Sequence, residues 1–266
     1  MVGAGDVLLR LLGHRPGSCV VINYHSISEA TKSRFSKQLD LLLRLARPIP
    51  AGKEFKLENG RRFVAVTVDD VFCDFVRDGL PELCRRNIPV TLFTPTGFLG
   101  KPSSWDDYGG ENKVGEEVVS TGDLKRIAQF KNVDFGSHSV THADLARLPE
   151  AAARQELRDS KNSLETIVSR EITAFSFPYG SCGARELRLA SEAGYKFLFD
   201  STPQQMSSTM GQGLIGRVDV QPTDWDMEFR LKVCGAYRWV RWASAWKKKV
   251  RSWFGGAAPM KDLNHG

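Results

Sequence analysis

The chain has 266 residues, 41% of them hydrophobic, with 37 Lys and Arg against 31 Asp and Glu and a formal net charge of +6. That composition supports one sizeable core, no apolar run approaches the roughly 18 to 20 residues of a membrane span, and the net basic charge favours anionic neighbours. The five cysteines, Cys19, Cys73, Cys84, Cys182 and Cys234, form no CxxC pair; their odd number fits a reducing compartment better than a disulfide framework.

Residues 6–13 read as a short amphipathic helix whose Val7-Leu8-Leu9-Arg10-Leu11-Leu12 is too short and interrupted for a signal-peptide core, so a cytoplasmic protein is expected. Ser18-Cys19-Val20-Val21-Ile22-Asn23 follows as a buried strand that ends in Tyr24-His25. Taken singly, a histidine there is more often a hydrogen-bonded structural residue than a catalyst. Phe35, Leu39, Leu42, Leu43 and Ala46 recur at helical spacing, and Arg47-Pro48 ends that helix. Phe55 to Phe63, around Glu58-Asn59-Gly60, resembles a hairpin, because Asn-Gly supplies the positive φ of a tight turn.

The next run, Phe63-Val64-Ala65-Val66-Thr67-Val68-Asp69-Asp70, is apolar on both alternating faces, as in a parallel strand, and stops at two carboxylates. Adjacent buried Asp side chains suit a cation or a proton-transfer task; the alternative is an Asx-type turn that caps the next helix. A helix at Gly79–Arg86 and a strand at Val90–Phe93 complete a βαβ pattern. The long, Gly-rich stretch from Pro95 to Ser120 is expected to cross the rim, with Trp105 and Asp106 as candidate substrate contacts, or else to be a surface loop with one buried Trp.

Thr121 is expected to cap a helix to about Phe130, followed by a strand at Val133–Gly136 and then by His138-Ser139-Val140-Thr141-His142. If that segment is helical, its two histidines share a face and can grip one metal ion. Pro149–Arg170 is a strong helix, read as core packing. Ala174–Phe177 is a strand that ends in the sharp turn Pro178-Tyr179-Gly180, which can aim backbone N–H groups into a site. A helix at 184–193 and strands at Tyr195–Phe199 and Ile215–Val220 follow.

The predicted organisation is a barrel over residues 1–222 and a helical, basic, Trp-rich tail over residues 223–266. In the tail, Trp239, Trp242, Trp246, Val250 and Trp253 fall within about 80° of helical arc, opposite Arg241, Lys248 and Arg251. Such a face suits an anionic membrane surface, or packing onto the barrel with the bases solvated; no recognised nucleic-acid motif accompanies the charge.

Thr67-Val68-Asp69-Asp70, His138-Ser139-Val140-Thr141-His142 and Phe177-Pro178-Tyr179-Gly180 stand in the order of the first three motifs of the polysaccharide deacetylase family, also called NodB-homology or carbohydrate esterase family 4. The resemblance extends over most of residues 18–220 through Pro89–Phe93, Thr96–Gly100 and Gly194-Tyr195. It implies an α/β fold, a distorted (β/α) barrel of about seven strands, and metal-dependent removal of an acetyl group, usually from N-acetylated sugars. Asp70, His138 and His142 match the metal triad and Asp69 the general base, with Zn²⁺ the expected divalent ion and Co²⁺, Ni²⁺ or Mn²⁺ as alternatives. Two imidazoles and one carboxylate leave coordination positions open, as a catalytic zinc site requires. Tyr179 and Pro178 mark the oxyanion and substrate side of the site.

The family's usual C-terminal Leu-x-His acid has no counterpart here, because the only histidine after His142 is His265. The branch that deacetylates biofilm exopolysaccharides carries that acid in an N-terminal Tyr-His motif, which Tyr24-His25 resembles, so His25 becomes the expected acid. Val71 replaces the usual Gly after the Asp pair, and the Arg that often precedes the third motif's Pro is absent, so the orienting partner of Asp69 is unassigned. The fourth motif has no placed counterpart. The expected activity is N-deacetylation of an N-acetylhexosamine in a glycan or lipid-linked saccharide at the inner membrane face. The alternatives are cleavage of an O-acetyl ester or non-sugar amide at the same site, or an inactive barrel kept as a glycan-binding or scaffold protein.

Overall fold

Strand β1 (Ser18–Tyr24) leads into helix α1 (Glu29–Leu45), the two-residue strands β2 (Arg47–Pro48) and β3 (Phe55–Lys56), and β4 (Arg62–Val68). Then come α2 (Leu80–Arg85), β5 (Val90–Thr94), α3 (Thr121–Ile127), β6 (Val133–Ser137), α4 (Glu150–Val168), β7 (Ala174–Ser176), α5 (Ala184–Glu192) and β8 (Phe197–Asp200). Short strands β9 (Gln205–Ser207) and β10 (Thr209–Met210) precede β11 (Gly213–Asp219) and α6 (Asp226–Val233). The computed structural model describes residues 16–105 and 114–237. The helices predicted at 6–13 and beyond Tyr237, and Asp106, lie outside the described residues.

Seven parallel strands close into a barrel in the order β1, β4, β5, β6, β7, β8, β11, with β11 pairing back to β1. The β1–β4 pair is in register along its whole length, from Ser18 opposite Arg62 to Tyr24 opposite Val68. Because strand side chains alternate between faces, Val20, Ile22, Val64, Val66 and Val68 pack outward against the helices, while Cys19, Val21, Phe63, Ala65, Phe93, Phe199 and Ile215 fill the lower barrel. The same inward rows continue toward the strand C-termini as Asn23, Thr67 and Arg217, all buried. The barrel interior therefore passes from apolar to polar toward one end.

Several local expectations need correction. Asn59-Gly60 does turn, with Gly60 at φ 75°, but its arms do not pair as a hairpin: β3 pairs antiparallel with β10, and β4 is claimed by the barrel on both edges. Arg47-Pro48 ends α1 and also adds a short parallel strand beside β4. The helix expected from Gly79 begins earlier, with a π-helical turn at Phe75–Gly79 before α2. Ser120, rather than Thr121, caps α3 by accepting the Asp123 N–H. Helix α6 packs on α1 with Phe229 and Val233 buried. No described helix is long and apolar enough to cross a membrane.

Candidate active site

Parallel barrel strands bring their C-terminal ends to one rim, and the residues after those ends meet there. β4 delivers Asp69 and Asp70, β6 delivers His138 to His142, β7 delivers Phe177 to Gly180, and β1 delivers His25. Asp69 donates its N–H to the Tyr24 carbonyl (3.0 Å), so His25 and Asp69 step off neighbouring strands at the same level. His25, Asp69, Asp70, Trp105, His138 and His142 all line one cavity of about 740 Å³.

Asp70, His138 and His142 each place a ligand atom within 4.8 Å of the other two, and all three residues are buried. The two histidines converge without a helix, contrary to the condition the spacing suggested: Ser139 (φ 65°) and His142 (φ 56°) are left-handed, and the segment is a tight loop. Asp70 Oδ1 lies 3.4 Å from His142 Nε2 and 3.8 Å from His138 Nε2. Zinc ligands at about 2.0–2.2 Å in tetrahedral arrangement stand about 3.4 Å apart, so the donors are spaced for one ion. His138 turns its Nδ1 to the Ser176 carbonyl (2.8 Å), the outer hydrogen bond that orients a metal-ligating imidazole.

The electrostatics fit a cation as well. Burial pushes the Asp70 carboxyl up to about 6, against the opposing pull of His138 and His25, and its buried Oδ1 has no hydrogen-bond partner among the described residues. Burial, with His138 adding to it, drives His142 down to about 2, so its ring is neutral, as ligation requires. A divalent ion would offset the cost of burying the ionised Asp70 carboxylate and would take the lone pair of the neutral His142 ring.

Asp69 lives under the opposite balance. Burial would raise its carboxyl, but Arg217 first, then His138 and His25, outweigh burial and hold it well below the usual range. Arg217 is fully buried and grips Asp69 with two parallel bonds, Nη1 to Oδ1 at 2.7 Å and Nη2 to Oδ2 at 2.6 Å. Its guanidinium lies 5.5 and 5.8 Å from the ring centres of Phe93 and Phe199, and it donates further to Asn23 Oδ1 (3.0 Å) and Ser176 Oγ (2.8 Å). Ser176 Oγ (3.2 Å) and Asn23 Nδ2 (3.3 Å) donate to Asp69 in turn. The partner that the sequence left unassigned is therefore an arginine on β11. Asp219, at the end of the same strand, accepts from Asn23 and reaches the cavity; sequence reading missed it too.

Trp105 is buried, stacks on His142 with ring centres 4.3 Å apart, and donates its indole N–H to Asp70 Oδ2 (3.4 Å). It forms the wall beside the triad. Tyr179 stands edge-on to His142 (4.8 Å), in a left-handed conformation (φ 60°), and lines the cavity. Gly180 follows at φ 63°, where a Cβ would sit 2.8 Å from the Ser201 nitrogen, so the turn needs glycine. The Gly180 and Ser181 N–H groups are used inside the turn, on Phe177 and Pro178 carbonyls. Pro178 is buried and does not line the cavity. Val71, where the resemblance implied a Gly, is itself left-handed at φ 51°, an uncommon conformation for a β-branched residue.

Residues 56–198 match the family model for polysaccharide deacetylase. Among solved structures, IcaB from Ammonifex degensii is similar at 20% identity with a TM-score of 0.64, over 85% of this chain and 98% of that one. The Streptococcus pyogenes deacetylase PplD in complex with acetate gives 19% and 0.65, over 82% and 99%. A de-N-acetylase from Aggregatibacter actinomycetemcomitans gives 15% and 0.64, over 80% and 98%. At these identities the likeness is one of fold. None of the curated proteins compared with the chain matches it.

Proposed function

The chain belongs to the polysaccharide deacetylase family, hydrolases that act on acetylated sugars, and on that premise we propose a metal-dependent N-deacetylase whose substrate is an N-acetylhexosamine in a glycan or lipid-linked saccharide. The observation that carries this reading is the convergence of Asp70, His138 and His142 on one ion-sized spacing, with the clamped Asp69 carboxylate beside them. Asp70, His138 and His142 would hold the ion, with Zn²⁺ favoured by the two-imidazole, one-carboxylate donor set. When bound, such an ion polarises an amide carbonyl and makes water more acidic.

The chain's own groups supply the rest. Asp69, kept ionised by Arg217, takes the proton of the attacking water. The Tyr179 backbone N–H is the proposed donor to the oxyanion that forms as the carbonyl carbon becomes tetrahedral. An amine leaves only when protonated, and His25, which lines the same cavity, is the proposed acid. Tyr179, exposed beside His142, is the aromatic surface a sugar ring can meet, while buried Trp105 stacks on His142 and backs the metal site. That the Aggregatibacter neighbour is a de-N-acetylase supports an amide over an ester. The basic, Trp-rich segment after Tyr237 supports a lipid-linked substrate at an anionic membrane surface.

A substrate panel tests the reading. Zinc-loaded protein is offered N-acetylglucosamine oligosaccharides, an O-acetylated xylo-oligosaccharide and an acetyl-lysine peptide, with acetate and free amine measured together. Equimolar acetate and amine from the first substrate, faster than acetate from the other two, is expected. Release from the ester or the peptide alone would assign the site to a different acyl bond.

A further inference from the structure

The loop that carries both histidines is gripped from two sides. Toward the barrel, the Ser139 and Val140 carbonyls accept from the Thr96 N–H (3.1 Å) and the Gly97 N–H (2.8 Å). Only glycine permits this approach at 97, because a Cβ there would stand 2.7 Å from the Val140 oxygen. Toward the outside, the N–H groups of Val140 and Thr141 both point to one carboxylate on α4. Glu156 Oε2 accepts from Val140 N (2.8 Å) and Thr141 N (3.0 Å), and its Oε1 accepts from the Thr141 hydroxyl (2.8 Å).

Helix α4 is itself anchored. Its Ala153, Leu157, Leu164 and Val168 are buried, and Ser160, one turn beyond Glu156, receives a hydrogen bond from Ser137, the residue before His138 (2.7 Å). The same helix thus holds the loop at its entry and at its middle. Those contacts matter because the backbone between the histidines is otherwise unfavourable: Ser139 and His142 adopt left-handed φ without being glycine, and such conformations persist only where the surroundings over-determine them. An ionised acceptor makes stronger bonds than a neutral one, and a carboxylate can serve both N–H groups and the hydroxyl at once.

We propose that Glu156 is a positioning residue for the metal site: it fixes the backbone of residues 139–142 and so sets the spacing of the His138 and His142 rings before an ion arrives. Glu156 touches neither substrate nor metal and acts only through the loop. The inference rests on reading Asp70, His138 and His142 as ligands. It assigns a task to a helix whose sequence pattern had suggested core packing alone.

The test is metal affinity, measured apart from activity by competing the metal-free full chain against a chromophoric Zn²⁺ chelator, for the unsubstituted protein, Glu156→Ala, Glu156→Gln and Asp70→Ala. Residues that support metal ligands from outside the coordination sphere typically change affinity by about 10–100-fold when altered. Glu156→Ala is expected to lose at least about tenfold in Zn²⁺ affinity on that scale, with circular dichroism confirming the fold. Glu156→Gln keeps an amide oxygen toward the two N–H groups and is expected to recover most of the loss; if Glu156→Ala does not fold, Glu156→Asp, whose shorter side chain falls short of the Val140 and Thr141 N–H groups, takes its place, and weaker Zn²⁺ binding by it supports the proposal while unchanged affinity refutes it. Undiminished binding by folded Glu156→Ala overturns the brace alone. Absence of Zn²⁺ binding by the unsubstituted protein, or equal binding by Asp70→Ala, overturns the metal reading and the brace with it.

Discussion

Asn in place of Asp69 is expected to lower deacetylation by about 10²–10⁴-fold, the usual contribution of a positioned general base, while metal content is unchanged. The side chain keeps its shape and the ligand triad is untouched; what is lost is the proton acceptor, together with the charge that pairs with buried Arg217. Asp69 is suited to that task because its charge is fixed by its surroundings. It is buried, which alone would favour the neutral acid, yet Arg217, His138 and His25 more than reverse that preference. Metal analysis and turnover on the same preparation check the prediction. Turnover within a few-fold of the unsubstituted protein would remove Asp69 from the chemistry.

Arg217→Met is expected to cost about 3–5 kcal/mol of stability, the penalty for removing one partner of a buried ion pair and leaving the other charge uncompensated. For a chain of this size that is roughly a 10 °C fall in melting temperature. Activity falls with it, because Asp69 loses the two bonds that aim its carboxylate. Arg217→Lys is a poor substitute, since one ammonium cannot reproduce a bidentate fork or the guanidinium's contact with both the Phe93 and Phe199 rings. The double variant Asp69→Asn with Arg217→Met is expected to be less destabilised than the sum of the singles, since no buried charge is then stranded. Thermal melts of the four proteins give the coupling directly, and strict additivity would mean that the pair is not energetically linked.

The barrel strands were legible in the sequence from their patterning, and the grouping of Asp70, His138 and His142 from the motif resemblance. Runs such as Phe63–Val68 are apolar on both faces, which marks a strand enclosed on both sides, and each such run ended at a chemically marked residue. Arg217 was missed because its partner lies 148 residues earlier in the chain, and β11 read only as another buried strand. A signal was nonetheless present: an Arg within Ile215-Gly216-Arg217-Val218 requires a buried counter-charge, and the Asp pair was the obvious unassigned one. The hairpin expected at Asn59-Gly60 failed because local turn chemistry says where a chain reverses, not which strand its arms will pair with. The loop from Ser139 to His142 was expected to need a helix to bring its histidines together. Two left-handed residues braced by Glu156, Thr96 and Gly97 achieve the same convergence through tertiary contacts that spacing does not encode.

The most direct test of the account is acetate release from N-acetylglucosamine oligosaccharides by protein stripped of metal with a chelator and then reloaded with Zn²⁺. The stripped protein is expected to lose at least about 10³-fold in rate, the equivalent of the several kcal/mol that a Lewis-acidic ion contributes, and the reloaded protein to recover it. Release that continues undiminished in verified metal-free protein would contradict a catalytic role for the ion held by Asp70, His138 and His142.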